Sequence, residues 1–313
     1  MNIKIEKNYP IADETTFKIG GPAEFFVAAH CRHQLEDAVR EAKKMSVPVT
    51  VLGGGSNVLI SSDGVDGLVI KLRSGEIEFL SKAENLIRVG AGVSLPRLSG
   101  FALKESFTGL EWAAGVPGSL GGAVYGNAGA FGQSIADVIE EVEVLRGDER
   151  LVLSKDEIDF SYRNSTFKKE DLTILSASLK LGKGEKSEIK KRVDKFLKYR
   201  NNNHPMDIPC AGSIFKNPET KIEDPKLIEK YPLLKNFNEK GVQSAGYLIE
   251  SVGLKGFALG GAMFSQKHAN FIVNKNGASS EDVRDLIKKA KEEVFERFGV
   301  GLEKEVRFIN VNN

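Results

Sequence analysis

The chain has 313 residues and a near-neutral balance, with 44 Lys+Arg against 43 Asp+Glu and a formal net charge of +1. No basic block interleaves with aromatics, so a nucleic-acid partner is not expected. No run reaches the roughly eighteen apolar residues that span a bilayer. The opening stretch, MNIKIEKNYPIADETT, has no apolar core of signal-peptide length, and Cys31 and Cys210 make no disulfide framework. A cytoplasmic protein, not associated with membranes, is therefore expected. The length exceeds one ordinary core and predicts two or three subdomains.

In chain order, a short opening strand precedes the turn-forming cluster from Thr15 to Pro22. Glu24–Ala28 reads as a strand, and Leu35, Ala38, Val39 and Ala42 then recur at helical spacing. Val49–Leu52 is a second strand that runs straight into Gly53, Gly54, Gly55, Ser56 and Asn57. A β-α-β unit thus ends in a glycine loop whose amides could form an anion-binding nest. Neither G-x-G-x-x-G nor a Walker motif is present. Short strands follow at 68–72, 76–80 and 86–89, with a helix through Leu98 to Leu103.

From Gly109 to Gly132 the chain reads GLEWAAGVPGSLGGAVYGNAGAFG, in which eight of the 24 residues are glycine. Glycine costs conformational entropy, so this density implies backbone geometry or close approach that side chains would forbid. The interleaved Leu110, Trp112, Val116, Leu120, Val124, Tyr125 and Phe131 distinguish the stretch from a polar linker. Together with the loop at 53–57, it suggests two loops gripping one extended dinucleotide.

Strands resume at 142–145, 150–153 and 173–181. Ile189, Val193, Phe196 and Leu197 mark a helix that ends in the polar run Arg200–Pro205, the best domain boundary. Ala245–Ser251 reads as a helix, while Phe257–Gly261 and Phe271–Asn274 look strand-like. A capping pattern at Ser279–Asp282 opens a helix with Val283, Leu286, Ile287, Ala290, Val294 and Phe298 on one face, and 305–309 closes as a strand. The pattern is α+β rather than regular βαβ alternation.

Three residues could carry chemistry. Arg163, in FSYRNS, suits bidentate recognition of a carboxylate or phosphate, and equally suits a surface position with its stem packed. Ser213, in AGSIFKNP, has small neighbours that leave its hydroxyl accessible, but it reads as readily as a turn serine and lies outside G-x-S-x-G. Glu305 sits in the closing strand, where an edge carboxylate paired with lysine is the plainer reading. His30-Cys31-Arg32-His33 has adjacent rather than spaced ligands and no second Cys/His group, so no metal site is expected. No histidine-containing motif marks Cys210 as a nucleophile, and His204 and His268 read as packing or hydrogen-bonding residues rather than catalysts.

Taken together, GGGSNVLI (53–60), AGVPGSLGGAVYGNAGAFG (114–132), YRNSTF (162–167), GSIFKNP (212–218), AGYLIESVGLKG (245–256), HANFIVN (268–274) and LEKEVRFI (302–309) form a set. It resembles the UDP-N-acetylenolpyruvoylglucosamine reductase (UDP-N-acetylmuramate dehydrogenase) family, in order and over nearly the whole chain. The resemblance implies an α+β protein: a two-lobed FAD-binding region of the vanillyl-alcohol-oxidase (PCMH) type with lobes at 1–70 and 71–200. A C-terminal α/β substrate-binding domain at 201–313 would follow, its last strand able to return to the FAD region.

The same resemblance implies a cell-wall enzyme. NADPH would reduce FAD, and the flavin would reduce the enolpyruvyl ether of UDP-N-acetylglucosamine to the lactyl ether, a step of peptidoglycan precursor synthesis. Arg163, Ser213 and Glu305 match the catalytic positions, with Ser213 the proton donor. Gly53, Gly54, Gly55, Ser56, Asn57, Gly115, Pro117, Gly118, Gly122, Asn127, Gly129 and Ala130 match the cofactor cradle, and Tyr162 and Asn217 substrate contacts. A monomer acting on a UDP-sugar is expected, with another FAD oxidoreductase of hydroxy acids or sugar lactones as the alternative. Two departures stand out. The 50 residues from Arg163 to Ser213 (213 − 163) are too few for the tyrosine-bearing loop of one branch. Positions near Asn203 and Val242, often lysine in the family, are not basic, which leaves Arg200 or Lys216 to meet the diphosphate.

Overall fold

A computed structural model describes residues 3–73 and 75–311. These residues form two compact units. The first takes its residues from Met1–Tyr9, Ala23–Gly55 and Asp66–Asn202; the second takes them from Pro10–Pro22, Ser56–Val65 and Asn203–Asn313. Among the described residues no helix is long and apolar enough to cross a membrane.

The first unit is built on two larger sheets. In the four-stranded one the spatial order is Glu6–Pro10, Pro22–Ala29, Val65–Leu72, Val49–Leu52, and the last two strands run parallel. The helix Arg32–Met45 buries Leu35, Ala38 and Ala42 against Val27, Ala29, Leu68 and Ile70, as its apolar spacing predicts. It stops at Ser46, which adopts φ 56° in the left-handed region. Each fully buried Leu or Ile here contributes about 1.5–3 kcal/mol of transfer free energy.

The second sheet has five strands in the order Glu149–Ser154, Ile139–Arg146, Thr173–Lys180, Leu86–Gly90, Ile77–Ser81, all antiparallel. Alternation puts Ile87, Val89, Val142, Val144, Ala177 and Leu179 on one face, where they meet two helices. One, Leu95–Lys104, starts at the Ser94 cap with Pro96 in its first turn. The other, Leu120–Gly126, lies inside the glycine stretch and was not expected there. Ser119 caps it, Leu120, Ala123 and Val124 are buried, and Asn127 closes it at φ 42°. The helix Lys186–Asn203 ends this unit with Ile189, Val193 and Arg200 buried.

In the second unit a four-stranded sheet has the order Cys210–Ser213, Phe271–Asn274, Ala262–Phe264, Ala258–Leu259. The expected strand at Phe257–Gly261 is instead a hairpin, because Gly260 takes φ 55° and turns the chain into Ala262–Phe264. Helices Pro225–Lys230, Leu233–Lys240 and Ala245–Ser251 precede Ser280–Phe298. That last helix has a complete capping box between Ser279 and Asp282 and ends at Gly299 with φ 66°. Its Val283, Leu286, Ile287, Ala290 and Val294 pack with Leu248, Ile249, Phe264 and Ile272. The closing strand, Arg307–Ile309, pairs in parallel with Val58–Ile60, the segment that leaves the first glycine loop.

Candidate active site

In the first unit the two glycine loops meet backbone to backbone. A Cβ on Gly54 would lie 2.6 Å from the Gly118 Cα, and one on Gly53 would lie 2.0 Å from the Ser119 hydroxyl oxygen. Glycine is thus required by the contact itself, and Gly55 adds a positive φ of 62°. Gly122 donates its N–H to Ser119 Oγ at 3.4 Å as part of the helix cap. Gly129 begins a two-residue strand, and a Cβ there would sit 2.3 Å from the carbonyl of Gln133.

Glu111 anchors the entrance of this stretch. Its carboxylate accepts from Thr108 Oγ1 at 2.6 Å and Gly109 N at 2.8 Å, and pairs with Arg192 at 2.6 Å. Burial alone would raise its pKa, but the Thr108 hydroxyl, the backbone N–H groups and Arg192 hold it below the usual carboxylate range.

Arg163 occupies a two-residue turn closed by reciprocal hydrogen bonds between Ser161 and Asn164, both 3.1 Å. Its φ of 54° is uncommon for a side-chain-bearing residue. The turn is tied to the glycine stretch at three points. Asn127 Nδ2 donates to the Ser161 carbonyl at 2.9 Å, Arg163 Nη2 donates to the Gly129 carbonyl at 2.9 Å, and Ser165 Oγ donates to the Tyr125 carbonyl at 2.7 Å. The Asn127 side chain therefore acts on the turn, its Oδ1 accepting from Ala136 N at 3.4 Å as well. Tyr162 is exposed, with the Arg163 guanidinium 5.4 Å from its ring centre.

In the second unit Ser213 and Glu305 lie on paired backbone. Ser213 faces Phe271 across the sheet, after an irregularity in register that begins at Cys210. Gly212 takes φ 77° within that bulge, a position that re-aims the next side chain. The next residue, Ile214, accepts from Glu305 N at 2.8 Å, and Phe215 bridges Lys304. Asn57 fastens the same strand, since its Nδ2 donates to the Glu305 carbonyl at 3.2 Å and its own carbonyl accepts from Arg307 N at 3.0 Å. The Ser56 carbonyl is the nearest atom to the open side of Gly212, 3.9 Å from the position of a Cβ. Asn217 is exposed and spends its Oδ1 on the N–H of Ala245, at the start of a helix.

Other expectations are narrowed. Lys216 is ion-paired to Glu303 at 2.5 Å, which commits one of the two basic residues proposed for a diphosphate. Burial pushes the Cys210 thiol up, unlike an activated nucleophile. Burial and then the charge of Lys255 push the His268 imidazole down, and its ring packs edge-on against His204 and Phe271. Sequence reasoning passed over the aromatic cluster of Phe131, Phe196 and Tyr199, in which Phe131 stacks on Phe196 at 4.1 Å. Phe131 and Phe196 are far apart in the chain, and only the Phe131 position within a glycine run hinted at it.

Comparison with known proteins completes the picture. Residues 204–309 match the model of the UDP-N-acetylenolpyruvoylglucosamine reductase C-terminal domain, and residues 23–154 match an FAD binding domain. The reductase of Bacillus subtilis (strain 168) is 39% identical over 99% of this chain and 95% of its own length. That of Clostridium botulinum (strain Alaska E43 / Type E3) is 38% identical over 98% and 93%. The chain belongs to the UDP-N-acetylenolpyruvoylglucosamine reductase family. A solved structure of the reductase from Thermus caldophilus superposes with a TM-score of 0.76 at 32% identity, covering 98% of this chain and 99% of that one. The fold is thus the expected α+β arrangement, an FAD binding domain followed by the reductase C-terminal domain. The glycine-only contact of Gly53 and Gly54 with Gly118 and Ser119 fits an extended dinucleotide held against main chain.

Proposed function

We infer that this protein uses NADPH and FAD to reduce UDP-N-acetylglucosamine enolpyruvate to UDP-N-acetylmuramate, a step of peptidoglycan precursor synthesis. The observation that carries this reading is the family match, and it is supported in the second unit by the strand of Glu305 lying against that of Ser213, with the Glu305 N–H bonded to the Ile214 carbonyl. An FAD oxidase of hydroxy acids or sugar lactones would not match the reductase C-terminal domain and has no need of a proton donor such as Ser213. With two unpaired cysteines and a near-neutral charge, the cytoplasm is the natural compartment.

Residues 53–57, Gly115, Pro117, Gly118, Gly122, Asn127, Gly129 and Ala130 would hold FAD, several of them through backbone. Bound FAD supplies the hydride, drawn from NADPH, that adds to the terminal vinyl carbon. Negative charge then develops at the neighbouring carbon and spreads into its carboxylate. Arg163 stabilises that enolate as it forms, and its tether to Gly129 holds the guanidinium ready beforehand. Ser213 gives its hydroxyl proton to the carbon bearing the carboxylate and recovers one from solvent. Glu305 orients the substrate when ionised or shares the enolate charge when protonated. Tyr162 and Asn217 contact the substrate.

Turnover in D2O tests the reading. Deuterium should appear at the carbon bearing the carboxylate of the lactyl ether, and Ser213→Ala should form that product far more slowly. Absence of lactyl ether from wild-type protein with FAD and NADPH would reject the reaction.

A further inference from the structure

Asn270 lies in HANFIVN, distant from Ser213 in the chain, and its side chain is 3% exposed in the second unit. Both ends of its carboxamide are bonded to one residue. Phe215 N donates to Asn270 Oδ1 at 3.0 Å, and Asn270 Nδ2 donates to the Phe215 carbonyl at 2.8 Å. The Asn270 carbonyl also accepts from Ile214 N at 2.8 Å. A neighbouring strand would give Phe215 this same pair of bonds. The strand Phe271–Asn274, however, begins only after a turn in which Phe271 N donates to the His268 carbonyl at 3.0 Å. The carboxamide therefore continues the ladder past Ser213 by means of a side chain. An apolar residue of equal size would leave the buried Phe215 N–H and carbonyl without these partners.

Ser213 needs a fixed point on this side. Before it the register is irregular from Cys210, and Gly212 sits at φ 77°. After it, residues 214–216 are gripped on both edges: by Asn270 on one, and on the other by Glu305 N donating to the Ile214 carbonyl at 2.8 Å and Lys216 N to the Glu303 carbonyl at 2.9 Å. Glu305 keeps its own anchor in Asn57. Asn270 is held in turn, since its N–H donates to His268 Nδ1 at 3.2 Å. Gly246 lets the helix Ala245–Ser251 close over this turn, because a Cβ there would lie 2.9 Å from His268 Cε1 and 3.6 Å from Asn270 Cβ. We propose that Asn270 is a positioning residue for proton transfer, clamping Phe215 so that Ser213 is aimed at the substrate carbon. This rests on the reaction inferred above.

The test follows the two half-reactions by anaerobic stopped flow in FAD-loaded wild type, Asn270→Ala, Asn270→Asp, Ser213→Ala and the double variant Ser213→Ala/Asn270→Ala. Bleaching by NADPH should stay within about twofold of wild type throughout, while reoxidation by the enolpyruvyl substrate should slow about 100-fold in Asn270→Ala, as for a misaimed group. The double variant should reoxidise within about twofold of Ser213→Ala, because no hydroxyl is left to aim. A neutral aspartic acid carries an O–H and an oxygen where the amide has its donor and acceptor. At pH 6, Asn270→Asp should therefore reoxidise at least about tenfold faster than Asn270→Ala. Should Asn270→Ala not fold, Asn270→Asp carries the test, its rate relative to wild type being higher at pH 6 than at pH 8. Equal slowing of both half-reactions, reoxidation of Asn270→Ala at the wild-type rate, or a double variant slowed by the product of the two single effects would overturn the assignment. So would an Asn270→Asp protein with no gain at pH 6. Wild type that bleaches but is not reoxidised by this substrate rejects the reaction itself, whereas normal wild type with any of those variant results rejects the assignment alone.

Discussion

Replacing Gly54 by alanine isolates the contact between the two glycine loops. Gly54 does not need a positive φ, so alanine suits its backbone and the effect is purely steric. The new methyl would stand 2.6 Å from the Gly118 Cα and 3.1 Å from both its carbonyl carbon and its nitrogen. Carbon atoms rest at about 3.5–4.0 Å, so the loops must part by roughly 1 Å. Both partners are main chain, and neither can yield by rotating a side chain. Overpacking of this kind costs about 1–3 kcal/mol. That cost divides between stability and FAD binding, and borne by binding alone it weakens FAD by roughly 5- to 150-fold. Urea unfolding of the flavin-free protein and fluorescence titration with FAD measure the two parts. Gly100→Ala is the control: it lies in the Leu95–Lys104 helix with nothing within 4 Å, and should stabilise by about 0.5–1 kcal/mol. A Gly54→Ala protein that matches wild type in both assays would refute the reasoning.

Three further outcomes follow from named contacts. Ser213→Ala should bleach normally with NADPH under anaerobic conditions, but substrate-driven reoxidation should slow by about 10²- to 10⁴-fold, read by stopped flow. Gly212→Ala forces a side chain into φ 77°, costing about 1 kcal/mol, and should lower kcat by disturbing the bulge that aims Ser213. Glu111 has a folded pKa held below its ordinary 4.5, so it stabilises above the unfolded value and that contribution is lost as pH falls through the folded one. Glu111→Gln should therefore flatten the acid limb of the melting profile below about pH 4.5, and a limb as steep as wild type would contradict the assignment.

Much of the fold was legible because periodicity and capping agreed. Leu35, Ala38 and Ala42 marked one helix, and the Ser279–Asp282 box with its apolar stripe marked another. The helix Leu120–Gly126 was hidden, since Gly121, Gly122 and Gly126 within seven residues argue against helix by propensity. Burial of Leu120, Ala123 and Val124 and the two caps outweigh that cost. Pro225–Lys230 and Leu233–Lys240 are too short to show a period. At the site, residue types were readable and geometry was not. Nothing in YRNS announces the left-handed Arg163, and the pairing that places Glu305 beside Ile214 joins segments distant in the chain. Arg200 read as part of the boundary run and as a basic residue for a diphosphate, but its burial against the glycine at 115, far upstream, has no signal in the sequence.

The central claim, that this protein is an NADPH- and FAD-dependent reductase of an enolpyruvyl UDP-sugar, has a direct optical test. The FAD-loaded protein is bleached anaerobically with one equivalent of NADPH, then mixed with UDP-N-acetylglucosamine enolpyruvate. The account predicts prompt return of the oxidised flavin spectrum with one equivalent of lactyl ether formed. A flavin that bleaches and then stays reduced in the presence of that substrate would contradict it.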